Sequence, residues 1–169
     1  WMNAMKEYLT NNGVKILYNT DVSDFIIENN KIKSVVINNQ KNEADQFIIA
    51  TGAWLPNVVK KLGIDLLLQA GKGYSVTFKN VENNLTRPAI LVDDRVALTP
   101  LGNDLRVGGT MELSGINHEI KMNRVNAIVN AVNKNFDSIN LALPSKQDAW
   151  CGLRPVTPDG LPYIGRTNK

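Results

Sequence analysis

The chain has 169 residues, 43% of them hydrophobic and 21% charged, the composition of a soluble globular protein long enough to bury a sizeable core. Its 19 Lys and Arg against 16 Asp and Glu leave +3, and the lysines are scattered, so there is no basic stripe to bind nucleic acid. One cysteine and one histidine exclude an internal disulfide and a Cys/His zinc centre, no metal site is expected, and no apolar run approaches the ~18 residues of a membrane-spanning helix.

The chain opens inside a helical pattern, with Met2, Met5 and Leu9 at helical spacing and Gly13 as the stop. "VKILYN" then reads as a short strand. "DVSDFIIE" and "KIKSVVIN" read as two strands joined at Asn29-Asn30, because Asn tolerates the positive φ of a tight hairpin. "NNQKNE" reads as a second turn, and Gln46 to Ala50 of "ADQFIIATGAW" as a buried strand running into a glycine turn. After Trp54 the character changes. "LPNVVKKLG" is a short helix between Pro56 and Gly63. "GYSVTFK", "AILVD", "RVALTP" and "LRVGGTME" are strands whose β-branched content suggests an antiparallel sheet. In "EIKMNRVNAIVNAVNKNF", Met122, Val125, Ile128, Val129, Val132 and Phe136 form one apolar helical stripe.

The last stretch, "WCGLRPVTPDGLPYIGR", is broken by prolines and glycines and is at best a short strand followed by loop. Its apolar residues suggest burial, yet Arg154 stands among them. A planar guanidinium grips a carboxylate by two parallel hydrogen bonds. The same group also serves as a structural cap on backbone carbonyls, and the residues alone do not choose. The first residue is Trp1, not Met, and the chain stops at "GRTNK" soon after an apparent strand, so a piece of a larger protein is expected.

"GLRPVTPDGLPYIG", with "GKGYSVTF", "RVALTPLGNDLRVGGTMEL" and "FIIATGAW", resembles the D-amino-acid dehydrogenase branch of the FAD-dependent amine oxidoreductases, whose wider family includes D-amino-acid oxidase, glycine oxidase and sarcosine oxidase. The resemblance implies an α+β fold: a substrate domain with a mostly antiparallel sheet plus helices, at 54–150, together with part of a Rossmann-like FAD-binding domain at 1–53 and again at 151–169. It implies that Arg154 clamps the substrate carboxylate and that the Tyr74 hydroxyl assists. It places Val22 at the adenine of FAD, Ala50, Thr51 and Gly52 at the turn beside the dinucleotide with Trp54 next to it, and Gly152 and the "TPDGLP" loop with Gly160 near the flavin ring. No G-x-G-x-x-G is present, since Gly71-Lys72-Gly73 runs on as Tyr74-Ser75-Val76, so the chain by itself is expected neither to retain FAD nor to be active. Relatives with covalent flavin carry a cysteine where Gly152 stands. Cys151 is one residue early, so non-covalent FAD is implied and Cys151 reads as a packing residue.

The implied reaction is oxidative deamination of a D-amino acid to a 2-keto acid and ammonia, the α-hydrogen leaving as hydride to the flavin, with orientation as the main catalytic device. The implied partners are the amino acid, held by its carboxylate, and an electron acceptor, a quinone chain or oxygen. The expected location is cytoplasmic, with a peripheral place at the inner face of the membrane open to the full-length protein. The alternatives are an oxidase of glycine or sarcosine type, or a non-catalytic carboxylate-binding module that has kept the fold.

Overall fold

A computed structural model describes residues 1–167. The chain divides into two compact units: Trp1–Ile49 with Lys61–Gly63 and the described residues from Ile164 on, and Ala50–Lys60 with Ile64–Tyr163.

The first unit begins with α1 (Met2–Asn11). It closes as its sequence asks: Asn12 caps with its side-chain amide on the Tyr8 carbonyl at 2.8 Å, and Gly13 turns off at φ +82°. The helix buries no residue, so its apolar stripe is unpaid by packing. Strands β1 (Val22–Glu28), β2 (Lys31–Ile37) and β3 (Gln40–Glu43) follow as an antiparallel sheet in that order. Both hairpin turns are Asn-Asn pairs in the left-handed region, Asn29-Asn30 and Asn38-Asn39, each at φ 50° and 61°. The first was expected. The second converts what read as a loop into a strand, because once Asn38-Asn39 turns the chain, "QKNE" lies in register against Ser34 to Ile37.

Two expected strands are not formed. Val14–Asn19 and Gln46–Ala50 have no β partner among the described residues, and Ile48 is 91% exposed. Both runs have strand composition, but a strand exists only through a ladder with a neighbour, and no neighbour is present.

The second unit starts with a 3-10 turn at Gly52–Trp54 and α2 (Leu55–Lys60), ended as expected near Gly63 at φ +68°. Then come β4 (Gln69–Phe78), β5 (Ala89–Leu91), β6 (Val96–Leu101), β7 (Asp104–Leu113), α3 (Met122–Asn135) and β8 (Ala149–Val156). The five strands make one antiparallel sheet in the order β5-β6-β7-β4-β8. One face is closed by α3: Tyr74 and Val76, Val96 and Leu98, and Leu105 and Val107 meet Val125, Ile128, Val129 and Val132 in one core, with Ile139 and Leu141 beyond. Cys151 packs against its margin, as a small apolar residue. The other face of the sheet is open.

Ala50–Ala53 and Cys151–Tyr163 therefore lie with the sheet, and the second unit runs on past residue 150. The reason is β8, which pairs with β4 from Gln69↔Val156 to Val76↔Ala149 without a break in register. Among the described residues no helix is long and apolar enough to cross a membrane.

Candidate functional site

Side chains on a strand alternate between faces, so the regular β4–β8 register sorts the candidates at once. Arg154 stands opposite Gly71, Gly152 opposite Gly73, and Trp150 opposite Ser75, all on the open face. Tyr74, opposite Cys151, is on the closed face. The structure brings Arg154 and Gly152 together and does not bring Tyr74 to them.

The open face has glycine at 71, 73, 108 and 152, with the Val156 and Met111 side chains closing over Gly71. Gly152 is required by a neighbour: the Trp150 indole lies back across it, and a Cβ there would strike Cη2, Cζ2 and Cζ3 of the ring. Arg106 rises from β7 beside this ring. Its Nη2 donates to Ser75 Oγ at 3.1 Å and its guanidinium carbon lies 5.5 Å from the centre of the indole. Ser75, Thr77, Lys79, Arg106, Asp148 and Trp150 line a cavity of about 640 Å³. Lys79 is already engaged by Asp104 at 2.6 Å, and the Ser145 hydroxyl and backbone N–H both donate to Asp148, which holds that carboxyl below its ordinary range.

Arg154 is exposed and makes no hydrogen bond or ion pair among the described residues. The apolar surround expected for it is absent: Leu161, Tyr163 and Ile164 are exposed as well. The cause is topological. Strand β8 is an edge strand with β4 on one side only, and the loop after it is held mainly by its own turns. Thr157 Oγ1 donates to the Leu161 carbonyl at 2.8 Å, the Leu161 N–H donates to Asp159, and Gly160 turns at φ +76°. Among the described residues the Arg154 side chain donates no hydrogen bond to a carbonyl.

Tyr74 is 2% exposed and its hydroxyl donates to Glu112 Oε2 at 2.8 Å. Burial, then the bond to Glu112, pushes its pKa up. Glu112 is the hub of a network that sequence reasoning missed. Lys121 Nζ lies 2.8 Å from its Oε1 and Arg124 Nε 3.0 Å from its Oε2. Lys72, fully buried, approaches it at 3.6 Å and donates to Asn117 Oδ1 at 2.6 Å and the Glu119 carbonyl at 2.8 Å. The hydrogen bond from Lys121, then that from Ser114, outweighs desolvation and holds the Glu112 carboxyl down to about 2. A bulge puts Glu112 there. Tyr74 pairs with Gly109 but Lys72 pairs with Glu112, so Thr110, left-handed at φ 55°, and Met111 together face Gly73. Without the extra residue Glu112 would stand on the open face. The available signal was a lysine inside an otherwise apolar strand pattern, which the sequence reading used only to dismiss Gly71-Lys72-Gly73 as a nucleotide loop.

The remaining candidates are surface backbone. Ala50 and Thr51 are exposed, Gly52 sits at φ +56° with nothing within 4 Å of where a Cβ would stand, and Trp54 is 44% exposed with its ring 6.4 Å from that of His118. An open turn with a side-chain-free corner fits the close approach of a dinucleotide. Gly160 is likewise exposed with open space around it. Val22, half exposed at the start of β1, belongs to the first unit, the others to the second.

Residues 1–169 match the family model described as DAO, FAD dependent oxidoreductase. Two curated relatives, each named D-amino acid dehydrogenase, are 36% identical: one from Helicobacter pylori over 166 residues, 97% of this chain and 39% of that protein, and one from Agrobacterium fabrum over 157 residues, 92% and 37%. The chain thus spans about two-fifths of the length of these relatives. Among solved structures, glycine oxidase from Bacillus cereus superposes with a TM-score of 0.79 at 24% identity, covering 97% of this chain and 45% of that one. L-proline dehydrogenase from P. horikoshii gives 0.75 at 22% identity, covering 98% and 45%. These two show the fold.

Proposed function

Since the chain belongs to the FAD dependent oxidoreductase family, we propose that it is the substrate-facing part of a flavoenzyme that oxidatively deaminates D-amino acids to 2-keto acids and ammonia. The observation that carries this reading is Arg154: a cation without a partner on a glycine-lined open face, in a chain whose curated relatives are named D-amino acid dehydrogenase. Its planar fork binds the α-carboxylate by two parallel hydrogen bonds and fixes the orientation of the α-carbon. Gly73 leaves space open, while the Val156 and Met111 side chains close over Gly71 and the Trp150 ring closes over Gly152 to flank the bound amino acid. Ala50, Thr51, Gly52, Trp54, Gly152 and Gly160 would hold FAD, which supplies the acceptor for the two electrons of the amine. The electrons leave for a quinone chain or oxygen. No acid–base side chain is needed once the amine is neutral, so Tyr74 is left to the core and takes no part in the clamp.

The test is Arg154→Ala in the full-length flavoenzyme. A charge-assisted bidentate contact is worth roughly 2–4 kcal/mol, so kcat/KM for D-amino acids is expected to fall about 30- to 1000-fold, mostly through KM, with flavin content unchanged. Arg154→Lys restores only part of this. Loss of flavin or solubility with an unchanged KM would mark Arg154 as structural and sink the proposal.

A further inference from the structure

The open face carries a second cation that the clamp does not use. Arg106 makes no ion pair among the described residues, yet it is held: Ser75 Oγ fixes one end and the Trp150 ring lies beneath it. A tethered guanidinium with free N–H edges, beside a cavity of about 640 Å³, is preorganised for an anion. We infer that Arg106 is a specificity-determining residue that binds the side-chain carboxylate of an acidic amino acid whose α-carboxylate is on Arg154, with Trp150 as the apolar floor between them. The inference rests on the proposed role of Arg154.

Arg106 is tied at Ser75 and Arg154 stands opposite Gly71, so the two cations leave the same face of the sheet, with these anchor positions four residues apart along β4. Between the ends the methylenes lie over the indole, which Gly152 allows to lie flat on the strand. The other charges of the cavity leave Arg106 as its recognising group. Lys79 is spent on Asp104, and Asp148 at the rim is bound to Ser145.

The experiment is ligand binding by the 169-residue chain itself, followed by NMR of the Trp150 indole and of the arginine side chains. Glutarate, D-glutamate, D-aspartate and D-alanine are compared in the wild type, Arg106→Gln and Arg154→Gln. D-glutamate and glutarate are expected to bind about tenfold or more tightly than D-alanine, with D-aspartate between, and Arg106→Gln to erase that difference while leaving D-alanine alone. Arg106→Lys should restore part of it, and Trp150→Phe should weaken the dicarboxylates without touching charge. If Arg154→Gln weakens all four ligands but Arg106→Gln changes none, the inference falls and the reading of Arg154 stands. If neither substitution changes any affinity, both fall.

Discussion

Two glycines of the sheet are required by opposite kinds of neighbour, and substitution separates them. A Cβ at Gly109 would lie 2.7 Å from the Arg95 carbonyl oxygen, which is backbone and cannot step aside. Gly109→Ala is expected to destabilise the chain by about 1–3 kcal/mol, read from the denaturant midpoint. At Gly152 the obstacle is the Trp150 ring, which is 57% exposed and free to swing outward. Gly152→Ala should therefore cost less stability than Gly109→Ala while changing the near-UV circular dichroism and fluorescence of Trp150. An unchanged tryptophan spectrum, or a larger loss of stability at Gly152, would contradict the arrangement described for the open face.

At the scale of elements, Glu112 couples β7 to β4 through Tyr74 and to α3 and its approach through Arg124 and Lys121. Its folded pKa, about 2, lies below the unfolded value. The unfolded chain thus binds the proton more readily, and the contribution of Glu112 to stability is full above roughly pH 5 and lost as pH falls toward 2. Tyr74 has the opposite sign: its pKa is raised, so its contribution is full at neutral pH and lost as pH rises beyond the ordinary tyrosine range. Glu112→Gln should lower the melting temperature at neutral pH and flatten its fall between about pH 5 and 2, leaving the parts due to Asp104 and Asp148. Wild type and variant curves of equal slope would show that the network does not titrate as described. This network also marks where sequence reading stops. The stripe of α3 and the Asn29-Asn30 turn are local, set by a 3.6-residue period and by the left-handed tolerance of asparagine, and both were legible. So was the antiparallel character of β4 to β7. The burial of Lys72 depends on a one-residue bulge at Thr110 in another strand, and no local pattern reports that. Val14–Asn19 and Gln46–Ala50 failed for the converse reason: the composition was right and the partner strand was missing. Arg154 was legible as a motif; its exposure, set by the edge position of β8, was not.

For the molecule as a whole, the turn at Ala50–Trp54 would, on the proposed reading, supply one edge of a dinucleotide site, and among the described residues no glycine-rich loop leads into a helix to hold a pyrophosphate. The 169-residue chain is expected to purify colourless, and a visible flavin spectrum at near-unit occupancy would overturn this. The sheet also divides labour by parity. Along β4, β7 and β8 one set of alternate positions builds the core on α3, and the other set, with Ser75, Arg106, Trp150 and Arg154, does none of that work. The two sets can therefore drift independently. Randomising Ser75, Arg106 and Trp150 in one gene library should scatter the preferred ligand widely while most members still melt near the parent, and the same exercise at Tyr74, Val76 and Val107 should return mostly unfolded chains. A scaffold wired this way can change its diet without rebuilding its skeleton.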